Sequence, residues 1–439
     1  MKFREIVDSP CGIRYLFDEL ELQSGYARKR LLDKELMTRP EDIRAAYESL
    51  SEYARLVREE RKQVEDICFR LQGLRDITGT LTSLAEGAVL DEIELFEIKH
   101  LAMLAESLGV GEEMDRIIAI LDPDGLKIAT FYIYDSYSVT LRSLRSRLEV
   151  APDDADLREE LMNEEDRIRQ QLSTLLQPFA ARLRSVLEAL GELDIVIAKA
   201  IQMNREGLVI PSIADSTSVR GMFHPEVRAI LARRSRTFQC VDFDFRMGVP
   251  ATLIGANMGG KTVVLKTLCL MQYLFQFGFA LPAAEARMAI YDEIAFCIGD
   301  EQSEQKGLSS FAAEMVRIDR MLDKVESGVR VLALVDEPAR TTNPVEGSAL
   351  VSALLGLLAD KKNLTLVLTT HYQVENAGQC WRVRGLKEGT GGLQMDYGLM
   401  KTASNDVPHE ALNIAREIGI HPAWIQKADT IMKRQYEQK

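Results

Sequence analysis

Gly255-Ala256-Asn257-Met258-Gly259-Gly260-Lys261-Thr262 constrains this chain more than any other stretch. It follows an apolar, strand-length run, Ala251 to Ile254, and precedes a helical pattern from Val263 to Phe275. The pattern GxxxxGK[ST] between a strand and a helix is a phosphate-binding loop. Its glycines let successive backbone N–H groups turn inward at phosphate oxygens, and the helix N-terminus adds positive potential. Lys261 is expected to reach the β- and γ-phosphates, and Thr262 to ligate Mg2+. Such a loop belongs with a parallel sheet whose other strands bring their carboxyl ends to the same site.

Two later segments fit that requirement. Val331 to Val335 is an apolar strand running into Asp336-Glu337. Asp336 is expected in the Mg2+ shell, and Glu337 to orient or activate the attacking water. Leu364 to Thr370 is a third core strand, and His371 follows it. A neutral imidazole there would sense the γ-phosphate. The expected ligands are therefore ATP and Mg2+.

The first 205 residues read differently. Gly and Pro are sparse, and apolar residues recur at three and four, as at Leu101, Leu104, Ala105 and Leu108. Leu161, Ile168, Leu172, Leu175, Phe179, Leu183, Val186 and Leu190 form one stripe from Leu157 to Leu193, which Pro178 should kink. Ile128 to Leu148 is a second long helix candidate, and residues 151–154 join the two in an antiparallel hairpin. After Tyr397 two short helices are expected, Ala411 to Ile418 and Ala423 to Gln435, broken at Gly419 and Pro422. The expected fold is α + α/β. A helical domain (1–205) precedes an ATPase domain with a largely parallel sheet (206–400) and a C-terminal helix-turn-helix segment (401–439).

Charge and cysteines narrow the setting. The net charge is −13, a poor start for wrapping nucleic acid. Between Glu149 and Asp166 nine carboxylates meet one arginine, so the hairpin tip carries −8. It reads as a solvated tip or as an acidic face for a basic partner protein. Arg228, Arg233, Arg234 and Arg236 form one basic cluster, read as an exposed helix or loop face, with contact to a phosphate backbone as the alternative. Cys11, Cys68, Cys240, Cys269, Cys297 and Cys380 are dispersed, without the spacing of a zinc site. A reducing cytoplasmic location without membrane anchorage is the expectation.

Taken together, these motifs resemble those of the MutS family of mismatch-repair ATPases. The loop reads GANMGGKT where the family has GPNMGGKS. Gly307 to Met315 is similar to its G-x-S-T-F-x-x-E-M signature, Asp336 to Pro344 stands at its DEIGRGTST, and Thr370-His371-Tyr372 matches T-H-Y. Leu281-Pro282-Ala283 and Ile298-Gly299 match smaller landmarks. The resemblance implies a homodimer with composite ATP sites, in which Ser309 and Ser310 reach the partner's nucleotide. It gives Asn257 a part in positioning the nucleophile or γ-phosphate, and Phe238 the place of an aromatic stacked on adenine. The C-terminal helices would pack on the neighbouring protomer.

Departures from the family pattern shape the functional expectation. Pro338-Ala339 and Asn343-Pro344 replace Ile-Gly and Ser-Thr. The chain resembles a shortened member without mismatch-reading, connector and clamp domains or a nuclease tail. Phe3-Arg4-Glu5 matches the family's mismatch wedge by letter, with no domain around it. The expected function is ATP-driven lever movement on a protein client. Shortened members of this sort resemble reactivating factors of cobalamin-dependent aminomutases. The alternative is an ATP-dependent DNA-binding protein of mismatch repair or a related DNA transaction.

Overall fold

The computed structural model describes residues 1–128, 130–255, 260–298, 310–359, 361–375, 378–386, 395–403, 412, 415–416 and 419–437. The chain divides into two compact units. One comprises Leu20–Lys34 and Glu52–Ile201, the other Met1–Glu19, Glu35–Ser51 and Gln202–Lys439. The helical first part of the sequence is thus shared between them.

The first unit is helical. Its core gathers one apolar face from each helix, including Leu71, Leu81, Ile98, Leu121, Leu172 and Leu190. Pro178 acts as expected. A 3-10 turn, Gln177–Phe179, separates helix Ala155–Leu176 from helix Ala180–Glu206. The hairpin also forms: Arg145 pairs with Glu165 and Arg147 with Glu160, an antiparallel register between helices Val139–Val150 and Ala155–Leu176.

The expected helix from Ile128 to Leu148 is shorter than its apolar pattern suggested. It begins only at Val139, where the Ser138 hydroxyl accepts the N–H groups of Thr140 and Leu141. Before it, Asp122 holds an irregular segment. Its carboxylate accepts the Lys127 N–H at 2.7 Å and a buried Lys99 ammonium at 3.3 Å. Lys99 also donates to Tyr134 Oη and the Thr130 carbonyl. A buried charge needs such partners, and helical backbone over Ile128 to Ser138 would not deliver them.

The second unit carries two sheets. Strands are β1 (Ser212–Ile213), β2 (Ser216–Met222), β3 (Val241–Arg246), β4 (Ala251–Ile254), β5 (Glu285–Met288), β6 (Glu293–Cys297), β7 (Val331–Asp336), β8 (Leu364–Thr370), β9 (Gln379–Leu386) and β10 (Met395–Thr402). The smaller sheet has the order β1-β5-β2-β3 and the larger β10-β9-β4-β8-β7-β6. From β9 to β6 the larger sheet is parallel, and β10 returns antiparallel to β9. The fold is helical plus sheets with parallel strands, as the sequence suggested. β7 and β8 are almost wholly buried and read as continuous apolar runs because helices cover both faces.

At the carboxyl terminus, helix Pro422–Glu437 starts at Pro422, which takes the first helical position instead of breaking a helix. The expected helix Ala411 to Ile418 falls mostly outside the described residues. Phe3 is core rather than a wedge. It is 1% exposed and packs against Phe17, Phe277 and Phe279 at centroid distances of 5.7, 5.0 and 5.8 Å.

Candidate functional site

The register of the large sheet decides which residues meet. Ile254 at the end of β4 pairs with Thr370, and Asp336 at the end of β7 pairs with Thr369. Three strands therefore stop together, and the residues just beyond them converge at one sheet edge. Gly260 stands at the entrance of helix Lys261–Gln276 with φ +80, a left-handed conformation that costs glycine nothing.

Within this convergence Lys261 is 4% exposed. Its ammonium donates to the Gly255 carbonyl at 2.8 Å and lies 3.1 Å from Glu337 Oε1. Thr262 Oγ1 donates to Asp336 Oδ2 at 2.8 Å. Thr369 Oγ1 donates to the other Asp336 oxygen at 2.6 Å and accepts the Glu337 N–H at 2.9 Å. Lys261, Thr262, Asp336 and Glu337 thus form one hydrogen-bonded and ion-paired constellation. A buried ammonium at a helix N-terminus is costly without anions, so the site favours negative groups beside it.

His371 closes the group from the end of β8. Its Nδ1 lies 4.0 Å from Glu337 Oε2 and is buried without a hydrogen-bond partner. Burial pushes the imidazole below its ordinary pKa, the Glu337 carboxylate pulls the other way, and Lys261 and Arg340 add to the lowering. The ring is therefore neutral at pH 7 and offers an uncommitted nitrogen to the site.

The turn after β7 is held from beneath. Glu337 and Ala339 both have positive φ, +46 and +61. The Ala339 N–H donates to Glu314 Oε2 at 3.2 Å, and its carbonyl accepts the Tyr372 hydroxyl at 2.9 Å. Tyr372 in turn fills the space left by Gly347, where a Cβ would meet its ring and hydroxyl at 2.7 Å. Asn343-Pro344 has its own role. Asn343 Oδ1 accepts the Val345 N–H at 2.9 Å and Pro344 opens helix Pro344–Leu358.

Several expected site residues lie outside the described residues: Ala256, Asn257, Met258, Gly259 and Ser309. Ser310 begins helix Ser310–Glu326. Gly255 directly follows β4, and Gly260 faces the Tyr397 ring, whose Cδ1 would lie 3.3 Å from an added Cβ. Phe238 is half-buried, and its neighbour Gln239 joins β10 through Asp396 Oδ1 and the Tyr397 N–H. Thr369 and Tyr397 were missed in the sequence reading, and Glu314 stood in the Gly307–Met315 signature without a role. Two threonines ending an otherwise apolar buried strand were the signal for Thr369. Nothing local marked Tyr397.

The oxygen donors fit a hard cation. Mg2+ at phosphate sites takes one or two protein oxygens, with phosphate and water completing the shell, and Thr262 Oγ1 and the Asp336 carboxylate are adjacent. Among the described residues no group of three or more His, Cys, Asp or Glu side chains could hold a metal alone.

The basic cluster is partly committed elsewhere. Arg228 pairs with Glu206 at 3.3 Å and stacks over the Phe223 ring at 3.7 Å, whereas Arg233, Arg234 and Arg236 are exposed. Among the described residues no helix is long and apolar enough to cross a membrane.

Residues 251–386 match the family model for MutS domain V. The chain is 31% identical over 331 residues to the "Endonuclease MutS2" of Streptococcus gordonii, covering 72% of this chain and 39% of that protein. It is 32% identical over 279 residues to the protein of the same name from Lactiplantibacillus plantarum, covering 61% and 34%. For Streptococcus pneumoniae the values are 35% over 228 residues, 51% and 27%. The matches thus span less than two fifths of each relative's length.

Proposed function

The chain belongs to the MutS family, and on that premise we propose that it is a Mg2+-dependent ATPase. One observation carries the reading: Thr262 meets Asp336 at 2.8 Å while Lys261 meets Glu337 at 3.1 Å, all at one end of a parallel sheet. Thr262 and Asp336 would hold Mg2+, which supplies charge neutralisation on the phosphates. Phosphate oxygens compete with Glu337 for the Lys261 ammonium. Once Lys261 pairs with phosphate, the Glu337 carboxylate is free to take a proton from water as that water attacks the γ-phosphorus. The bond between the γ-phosphorus and its bridging oxygen breaks, releasing ADP and phosphate. Neutral His371 donates toward or accepts from the γ-phosphate–water pair. Asn257 and the loop glycines contribute backbone and amide donors, and Tyr397 with Phe238 offers aromatic surface for the base.

The test is Glu337→Gln. It should keep nucleotide affinity within a few-fold and lower kcat by about 10²-fold or more, since only proton acceptance is removed. Nucleotide titration and phosphate release measure the two. Parent-rate hydrolysis by this variant would remove Glu337 from the mechanism.

We further propose a homodimer whose composite sites use Ser309 and Ser310 of the opposite protomer, and a protein client such as a cobalamin-dependent aminomutase. The acidic hairpin supports a basic protein partner: its tip carries −8, and Val139 and Val150 are exposed at the two ends of its first helix. The second reading, DNA, draws on the name "Endonuclease MutS2" borne by the relatives.

A further inference from the structure

β6 is the edge strand of the larger sheet, paired on one side with β7. Ile294 and Phe296 alternate along it, and Ile298 follows in the same phase, so the three side chains share one face. A cavity of about 440 Å³ lies against them. Ile6 and Pro10 close it from the first turns of the chain, and Tyr273 from helix Lys261–Gln276. Its walls are mostly apolar and well covered: Ile6, Tyr273 and Ile294 are all buried. The volume suits a small organic molecule.

One cation enters this apolar setting. Arg317 belongs to helix Ser310–Glu326, whose Ile318 and Met321 pack with Cys297 in the core on the other face of the sheet. No described strand lies outside β6, so the arginine passes the sheet edge and lines the cavity. Its Nε is buried without a hydrogen-bond partner. Glu314 feels the charge of Arg317, yet its carboxylate accepts the Ala339 N–H. The carboxylates at the cavity are likewise engaged. Glu5 accepts the Lys2 N–H at 3.0 Å, and Asp8 accepts Arg14 Nε at 2.6 Å. Buried donors are normally paired, so an orphaned one on a cavity wall calls for an acceptor from outside the chain.

We propose that this cavity binds an organic anion with an apolar body, its carboxylate or sulfonate paired with Arg317 and its body held against Pro10, Ile294 and Phe296. A guanidinium presents N–H donors that match such anionic groups, and a charge-assisted bond is stronger than one to water. Tyr273 adds a neutral hydroxyl, since burial pushes its phenol well above the ordinary pKa. A doubly charged phosphate monoester fits less well, because Glu5 and Asp8 line the same cavity. None of the lining residues belongs to the phosphate loop, to Asp336-Glu337 or to His371. The site therefore stands independently of the ATPase reading.

The experiment uses anilinonaphthalene sulfonate, an amphipathic anion whose fluorescence rises in apolar surroundings, and phenylnaphthylamine, its uncharged analogue. Both are titrated into the parent protein, Arg317→Gln and Ile298→Trp, with thermal unfolding of all three. The expected result is saturable sulfonate binding at about one equivalent per chain. Arg317→Gln should weaken the sulfonate by about tenfold or more and phenylnaphthylamine by less than about twofold, since only the charge-assisted bond is lost. Ile298→Trp fills the cavity and should weaken both probes by about tenfold or more. No saturable sulfonate binding, unchanged sulfonate affinity in Arg317→Gln, or an equal loss of both probes in that variant overturns the proposal. Binding of several equivalents that ignores both substitutions shows adsorption to the surface and also overturns it. If Arg317→Gln has a lowered unfolding transition, Ile298→Trp decides: parent affinity for the sulfonate overturns the site, and the stated loss supports it.

Discussion

At the residue scale the site depends on a hydroxyl outside the motifs that mark it. Thr369 Oγ1 orients the Asp336 carboxylate and accepts the Glu337 N–H, so it sets the direction of both acids at once. Thr369→Val keeps the shape and deletes both side-chain bonds, while the Glu337 N–H keeps its bond to the Thr369 carbonyl at 3.2 Å. Losing a hydrogen bond to the part-buried Asp336 carboxylate costs about 1–3 kcal/mol, and a misdirected carboxylate should lower kcat by roughly tenfold. Urea unfolding and phosphate release check the two effects, and unchanged values in both would show Thr369 to be passive. The motif residues were legible because each type has a fixed chemistry beside phosphate. Thr369 was not, because its role depends on pairing with Asp336 across β7 and β8. Ala339 teaches the same lesson: its left-handed backbone is visible only once Glu314 and Tyr372 are seen to grip it.

At the element scale, helix Pro225–Arg233 is capped by a histidine. His224 Nδ1 accepts the Val227 N–H at 3.5 Å, so Nε2 carries the proton donated to the Cys11 carbonyl at 3.1 Å. Gly12, at φ +90, permits the approach, since a Cβ there would lie 2.5 Å from the ring. Burial pushes the His224 pKa down to about 4, against about 6.5 in an unfolded chain. The folded state therefore favours the neutral ring. Its stabilising contribution is complete above pH 6.5 and is lost as pH falls toward 4, by about 3 kcal/mol in full. Urea unfolding at pH 7 and pH 4.5 should show a loss in the parent that is smaller by about 2 kcal/mol or more in His224→Asn, which caps without titrating. Equal losses would assign the acid sensitivity to the carboxylates. Strand and helix elements around the phosphate loop were readable because burial on both faces leaves continuous apolar runs. The segment before Val139 was misread because its apolar spacing suited a helix, while the buried Lys99–Asp122 pair required irregular backbone.

At the scale of the whole molecule, the client separates the two functional readings. Labelled homoduplex and mismatched DNA, titrated across a salt series with and without ATP, should show no saturable binding even at low salt, while ATP hydrolysis continues. Affinity that falls steeply with salt, as counterion release requires, together with stimulated turnover would establish DNA as the client. Arg233, Arg234 and Arg236 would then be the residues to substitute. The sequence by itself determined the motif-bearing half of the molecule: a Gly-rich GxxxxGK[ST] pattern, an acid-ended strand and a histidine-ended strand, each a local pattern. It also determined the helical hairpin and its acidic tip, since periodicity and charge are local properties. Only the tertiary structure decided that Met1–Glu19 and Glu35–Ser51 join the sheet-bearing unit, that Phe3 is core, and that Thr369, Glu314 and Tyr397 stand around the site. Those assignments depend on contacts between residues far apart in the chain, which sheet register and burial select and no single stretch of sequence encodes.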